Sequence, residues 1–318
     1  MRLPASGTLA QRPQGQSGSR SVSRFQAAYG PVVFFACVLT LVVISWGSWV
    51  RVEGAGLACP DWPLCNGRVI PANDRLVLIE WSHRLVAAIL GFAILFTAFG
   101  AWRWYRANRW VLVPGIASLV FVSIQIILGA ITVTANLSPQ VVSAHLGTSM
   151  LVFASLLVTA VGVGGWPHRS VAASLRAFPL AALFGAVMMY GLLLTGSYVV
   201  GSGASAACRS WPSCDGLPGA GDIVQVHMFH RVAVVFVGAV VAFTAWQAWR
   251  VRKAYPALAV VAAAGVVVYA LQALVGAGNI WFALANWIQV AHVAMAAAMW
   301  AVMVLLATLA WRATRTAG

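Results

Sequence analysis

Eight long apolar runs dominate this chain and leave it few ways to fold. They cover roughly 31–50, 79–102, 110–134, 141–163, 177–200, 226–249, 256–280 and 286–311. About 20 apolar residues in a helix cross the hydrocarbon core of a bilayer. Within lipid every backbone N–H and C=O must be bonded, which a helix does inside its own segment. Of 318 residues, 61% are hydrophobic and only 8% are charged, against about a quarter charged in soluble domains. The reading is an all-α polytopic membrane protein with eight transmembrane helices.

The charges settle its orientation. Arg103, Arg106 and Arg109 lie between runs 2 and 3, Arg169 and Arg176 between runs 4 and 5, and Arg250, Arg252 and Lys253 between runs 6 and 7. Arg2, Arg12, Arg20 and Arg24 precede run 1, and Arg312 and Arg315 follow run 8. That side carries no Asp or Glu. All six acids, Glu53, Asp61, Asp74, Glu80, Asp215 and Asp222, fall on the other side with the remaining arginines. The positive-inside rule makes the basic side cytoplasmic, with both termini inside. The net charge of +14 is explained by this placement, so nucleic-acid binding is not required. Residues 1–30 are polar and read as a disordered cytoplasmic tail, and 312–318 as a second. Run 1 is too long for the apolar core of a cleavable signal.

The sequence is written twice. "CPDWPLCNG" (59–67) matches "CRSWPSCDG" (208–216) at an offset of 149, cysteines and Trp-Pro included. "SHRL" (82–85) matches "FHRV" (229–232), and "QIILGA" (125–130) matches "QALVGA" (272–277), at an offset of 147. His145 matches His292 at the same offset. We read two tandem four-helix bundles, 31–165 and 177–311, related by pseudo-symmetry. Four spans per unit give both the same orientation, unlike inverted-repeat transporters.

Four histidines sit at one depth. His83, His145, His230 and His292 each lie about one turn inside the non-cytoplasmic end of runs 2, 4, 6 and 8. His168, in a short polar loop, reads as solvated. Ionisable residues inside a membrane are costly and usually have a partner or a task. One such histidine could simply bond a neighbouring helix. Two matched pairs with equal spacing fit the axial ligation of haem inside four-helix bundles. Zinc needs four ligands, or three and a water, and each half offers two. Arg84 and Arg231, next to the first histidine of each pair, suit a haem propionate, or else snorkel to the interface.

One position separates the halves. Glu80 stands three residues before His83, and His227 stands three before His230. Residues i and i+3 share a helix face, so a carboxylate would accompany the first haem only. It could move protons or steady positive charge, or pair with an arginine. This asymmetry points to chemistry in the first half and a permanent cofactor in the second.

"GAGLACPDWPLCNG", "EWSHR" and "SAHLG" in the first half, with "TGSYVVGSGASAACRSWPSC", "HR" and "VAH" in the second, resemble the haem A synthase family over residues 31 to 311. The resemblance implies a membrane oxidoreductase. It would oxidise a ring methyl of haem O to a formyl group by successive hydroxylations, giving haem A for terminal oxidases. His83 and His145 would hold the substrate haem, with Glu80 as catalytic carboxylate. His230 and His292 would ligate a resident haem b. Cys59 would pair with Cys65, and this chain adds a second pair, Cys208 and Cys214. Disulfides persist outside the cytoplasm. Cys37, inside run 1, reads as a small buried apolar residue. Haem O synthase is the implied partner. Terminal-oxidase assembly factors, a second copy of the chain and membrane lipid are further partners considered.

Two other readings stand beside this one. A di-haem b electron-transfer cytochrome explains the histidines but not Glu80. An extracytoplasmic thiol–disulfide oxidoreductase explains the cysteines, although such enzymes favour C-x-x-C spacing, and it leaves the histidines idle. Each cysteine loop is either a rigid lid over a haem site or a participant in electron or haem transfer.

Overall fold

The computed structural model describes residues 24–164, 177–215 and 221–315. Among the described residues eight α-helices follow in order: α1 (Arg24–Val52), α2 (Arg75–Trp104), α3 (Arg109–Thr134), α4 (Pro139–Val163), α5 (Phe178–Gly201), α6 (Gly221–Arg250), α7 (Pro256–Trp281) and α8 (Asn286–Arg315). All eight are long and apolar enough to cross a membrane, and the chain is a multi-pass, all-helical membrane protein.

Several helices run past the apolar stretches. Residues 24–30, expected in the leading tail, form the first two turns of α1, and Arg312, expected in the trailing tail, lies in α8. Polar residues lower local hydropathy without breaking a helix. Tyr29 is fully buried against Phe96, Trp104 and Tyr105. The side chain of Asp74 caps α2 by accepting from the N–H groups of Leu76 and Val77. Asn108 caps α3 through Trp110 N–H, and α4, α5 and α7 have proline in the first turn, where its missing N–H costs nothing. Residues 1–23, His168, Arg169 and Arg176 lie outside the described residues.

In the first half α1 packs on α2 and α4, while α3 packs on α2 and α4. In the second, α5 packs on α6 and α8, and α7 packs on α6 and α8. The halves meet where α1 and α4 touch α8 and α4 touches α5. Met150, Leu156, Met189, Met299, Met303 and Leu306 from α4, α5 and α8 are fully buried and belong to one continuous core. Hydrogen bonds cross this seam along its length. Trp300 Nε1 donates to Met150 O at 2.9 Å, and Arg312 donates to Val161 O. At the cysteine-loop end Arg51 donates to Gln289 at 3.1 Å and Asn286 to Glu53 at 3.2 Å. Ser143 and Ser197 bond across α4 and α5 at 2.8 Å. Ile126 and Ile127 on α3, and Val232, Val235 and Phe236 on α6, are exposed, as lipid-facing positions require.

The corners before α4 and α8 repeat in backbone detail. Asn136 and Leu137 both adopt positive φ (50° and 58°), and so do Ala283 and Leu284 (48° and 59°) at the same 147-residue offset. Leu137 N–H returns to Thr132 O, and Leu284 N–H to Asn279 O, each at 2.8 Å. Left-handed backbone costs an L-residue roughly 1–2 kcal/mol. Here that strain sets the starting point of the helices carrying His145 and His292.

Candidate functional site

His83 is the ninth residue of α2, His145 the seventh of α4, His230 the tenth of α6 and His292 the seventh of α8. At 1.5 Å rise per residue each lies about two turns below its helix start. Counted from the apolar runs, His83, His145 and His230 stay about one turn in, because α2, α4 and α6 begin earlier than those runs. His83 lies within electrostatic reach of His145, and His230 within reach of His292. The sequence pairs are thus spatial pairs.

Each ring rests on a glycine of the preceding helix. A Cβ at Gly47 would lie 3.2 Å from His83 Cε1, and one at Gly196 equally 3.2 Å from His230 Cε1. For Gly129 and His145 the distance is 3.5 Å, and for Gly276 and His292 it is 3.1 Å. At Gly47, Gly196 and Gly276 a side chain would make the ring give by a few tenths of an ångström, while at Gly129 it would meet the ring at ordinary van der Waals contact. Gln272, one turn before Gly276, donates to His292 O at 3.0 Å. The Nδ1 atoms of His83, His145 and His292 are buried without a hydrogen-bond partner. His230 Nδ1 lies 2.8 Å from Thr195 Oγ1.

Both cysteine pairs form disulfides, Cys59–Cys65 and Cys208–Cys214, with Cα atoms 4.6 and 4.8 Å apart. Cys37 is free and buried. Within the first loop Asp61 accepts from Asn66 N–H (2.5 Å) and Gly67 N–H (2.7 Å). The Gly67 bond, then Asn66 and the Arg84 charge, hold its carboxyl below the usual range. In the second loop Ser210 replaces Asp61 and accepts from Asp215 N–H at 2.9 Å.

The two arginines clasp these loops. Arg84 Nη1 donates to Asp61 O (2.7 Å) and Leu64 O (2.9 Å), and Nη2 to Cys59 O (2.7 Å). Arg231 Nη1 donates to Ser210, Pro212 and Ser213 carbonyls. Arg231 Nη2 is buried and unpartnered. In the first half the matching nitrogen also holds Glu80 Oε1 in an ion pair. Glu80 is 4% exposed, and its Oε2 accepts from Cys59 N–H at 2.8 Å. The carboxylate is therefore joined to both the loop and Arg84. His227, in Glu80's place, donates Nδ1–H to Ala204 O at 2.9 Å.

The chain matches the COX15-CtaA model, described as a cytochrome oxidase assembly protein, over residues 31–304. It belongs to the COX15-CtaA family. It is 32% identical over 198 residues to a heme A synthase of Alkalihalophilus pseudofirmus, covering 60% of this chain and 67% of that protein. A heme A synthase of Exiguobacterium sp. is 34% identical over 233 residues, 70% of this chain and 74% of the relative. One from Bacillus cereus is 29% identical over 243 residues, 74% and 78% of the two chains.

For a COX15-CtaA protein the histidines, Glu80 and the cysteines are the residues that repeat and spacing make visible. Thr195 and Gly196 open the "TGSYVVGSG" stretch, and Gly129 and Gly276 lie in the repeated "QIILGA" and "QALVGA", but residue type assigns no role to them or to Gly47. Gly47 and Gly196 share the 149-residue offset of the cysteines, and Gly129 and Gly276 the 147-residue offset of the second histidines. That register was the available signal.

Proposed function

We propose that this chain is a haem A synthase of the cell membrane, converting haem O to haem A by oxidising a ring methyl to a formyl group. The observation that carries the reading is the pairing of His83 with His145 and of His230 with His292, in a family whose named relatives are heme A synthases. His83 and His145 hold the substrate haem O in the first unit, 31–165. His230 and His292 ligate haem b in the second, 177–311. The buried imidazoles fit this group: the only protein atoms that these rings need to present are nitrogen lone pairs, and among the described residues no cluster of three or more His, Cys, Asp or Glu side chains forms a rival metal site.

Bound haem b supplies one-electron transfer. The protein's own groups position the substrate and handle protons. Glu80 is the catalytic carboxylate, present where the methyl is oxidised and replaced by His227 where it is not. Its bonds to Cys59 and Arg84 fix its place. Arg231 keeps a nitrogen available for a propionate, whereas Arg84 reaches one only with the guanidinium that already holds Glu80. The disulfide loops act as lids. Both termini lie in the cytoplasm and the cysteine loops outside it, as the arginine placement supports. Haem O synthase supplies the substrate, and terminal-oxidase assembly factors receive the product.

The test is haem A formation on co-expression with a source of haem O, together with pigment analysis of the purified protein. His230→Ala or His292→Ala removes the resident haem absorbance. Glu80→Ala keeps that absorbance and abolishes haem A. A haem-loaded protein that forms no haem A would refute the reading in favour of a di-haem cytochrome.

A further inference from the structure

The two histidine pairs differ in what stands behind the ring. Thr195 Oγ1 lies 2.8 Å from His230 Nδ1. The hydroxyl has a single proton, and that proton goes to Leu192 O at 2.8 Å. Toward His230 the oxygen can therefore only accept. Nδ1 carries the imidazole proton, and Nε2 keeps the lone pair that a metal takes. Gly196, the next residue, lets the same ring lie against α5. Orientation and tautomer are thus fixed by two consecutive residues.

In the first half the residue before the glycine is Trp46, at the same 149-residue offset as the cysteines. An indole N–H donates and cannot accept. Trp46 Nε1 is buried without a partner, and so is His83 Nδ1. The glycine seat is kept and the hydroxyl is gone. Neither histidine of the first pair has an anchored Nδ1, while one of the second pair does.

We propose that Thr195 is a positioning residue that makes His230 a permanent haem ligand, and that Trp46 in its place leaves His83 a ligand able to take up and release haem. The inference rests on the assignment of the resident haem to the second half. A ligating histidine whose other nitrogen donates to a partner is held in place and made more basic, and losing that partner costs 10- to 100-fold in metal affinity. A resident cofactor benefits from this anchor. A haem that must depart once oxidised does not.

The experiment compares purified wild type, Thr195→Val, Thr195→Ala, Thr195→Ser, His83→Ala and His230→Ala. Haem content, release of haem to an apo-globin scavenger and the midpoint potential of the retained haem are measured. In wild type the haem that depends on His83 is released faster than the haem that depends on His230. Thr195→Val and Thr195→Ala release the second haem about 10- to 100-fold faster and shift its potential upward, because a less basic imidazole stabilises the ferric state less. Thr195→Ser restores both, which separates the hydroxyl from its packing. Wild-type release and potential in both Val and Ala variants, with His230→Ala lacking the haem, overturn the inference and leave the ligand assignment standing. Equal release of the two haems in wild type overturns the contrast with Trp46. Full haem absorbance in His230→Ala overturns the ligand assignment itself.

Discussion

The backbone N–H of Cys59 donates to the carboxylate of Glu80 at 2.8 Å, so the first residue of the disulfide and the candidate catalytic acid share one hydrogen bond. Arg84 closes the same unit from the other side, holding Glu80 and the Cys59 carbonyl together. The loop backbone thus sets where the carboxylate sits.

Opening the first disulfide should therefore disturb turnover before it disturbs haem content. Closing a loop this short contributes about 2 kcal/mol in the chain-entropy model. Cys59→Ser with Cys65→Ser is expected to lower thermal stability by about that amount and reduce haem A formation severalfold with the resident haem intact. Complete loss of activity at normal stability would instead indicate thiol chemistry.

The glycine seats yield a graded prediction. Gly47→Ala and Gly196→Ala place a Cβ 3.2 Å from an imidazole carbon, so the ring must give by a few tenths of an ångström. Altered haem spectra and weaker haem retention are expected. Gly91→Ala, also in a helix, meets nothing within 4 Å. There the helix preference for alanine, up to about 1 kcal/mol, should leave spectra unchanged and stability equal or higher.

Much of this was legible from the chain. His83, His145, His230 and His292 stood out because an ionisable side chain is costly in lipid and because the repeat set them at equal spacing. The eight helices followed from hydropathy alone. What stayed hidden depends on geometry that residue type does not encode. Thr195 opens the "TGSYVVGSG" stretch, but its role is set by the position of His230 Nδ1, which the sequence does not encode. Glu80 reads in the sequence as facing whatever His83 binds or as pairing with an arginine, and the chain gives it Arg84 together with the Cys59 N–H, a loop contact that the i+3 rule does not reach. Counted from helix starts, His83, His145 and His230 lie further in than from their apolar runs, because α2, α4 and α6 open with residues that the apolar windows leave out.

The strained corners predict an unusual gain. Ala283 has φ of 48°, at a cost of roughly 1–2 kcal/mol. Glycine there removes the strain and adds about 0.5–1 kcal/mol of unfolded-chain entropy. Ala283→Gly should raise the melting temperature of the detergent-solubilised protein slightly, and a clear drop would show that the methyl group is needed for packing.

The first loop should also tolerate acid. Asp61 has its carboxyl held below the ordinary 3.8, chiefly by Gly67 N–H. A carboxyl depressed on folding stabilises above its unfolded pKa and loses that contribution as pH falls through the folded value. Hydrogen exchange at the Asn66 and Gly67 amides should therefore be equally protected from pH 5 to 8 after correction for intrinsic rates, with protection lost only below about pH 4. The second loop, where Ser210 takes the same place, should show no such step.

The seam between α4, α5 and α8 has a consequence for ancestry. Met299, Met303 and Leu306 are buried in one core cluster with Met150 and Leu156 of α4, and Trp300 and Arg312 bond to carbonyls of α4. The second unit released from its sister would present that surface bare to lipid, with an indole and a guanidinium unmatched. The sister units thus behave as an obligate heterodimer fused into one polypeptide. A chain cut between α4 and α5 should regain its haem only when both fragments are made in the same membrane.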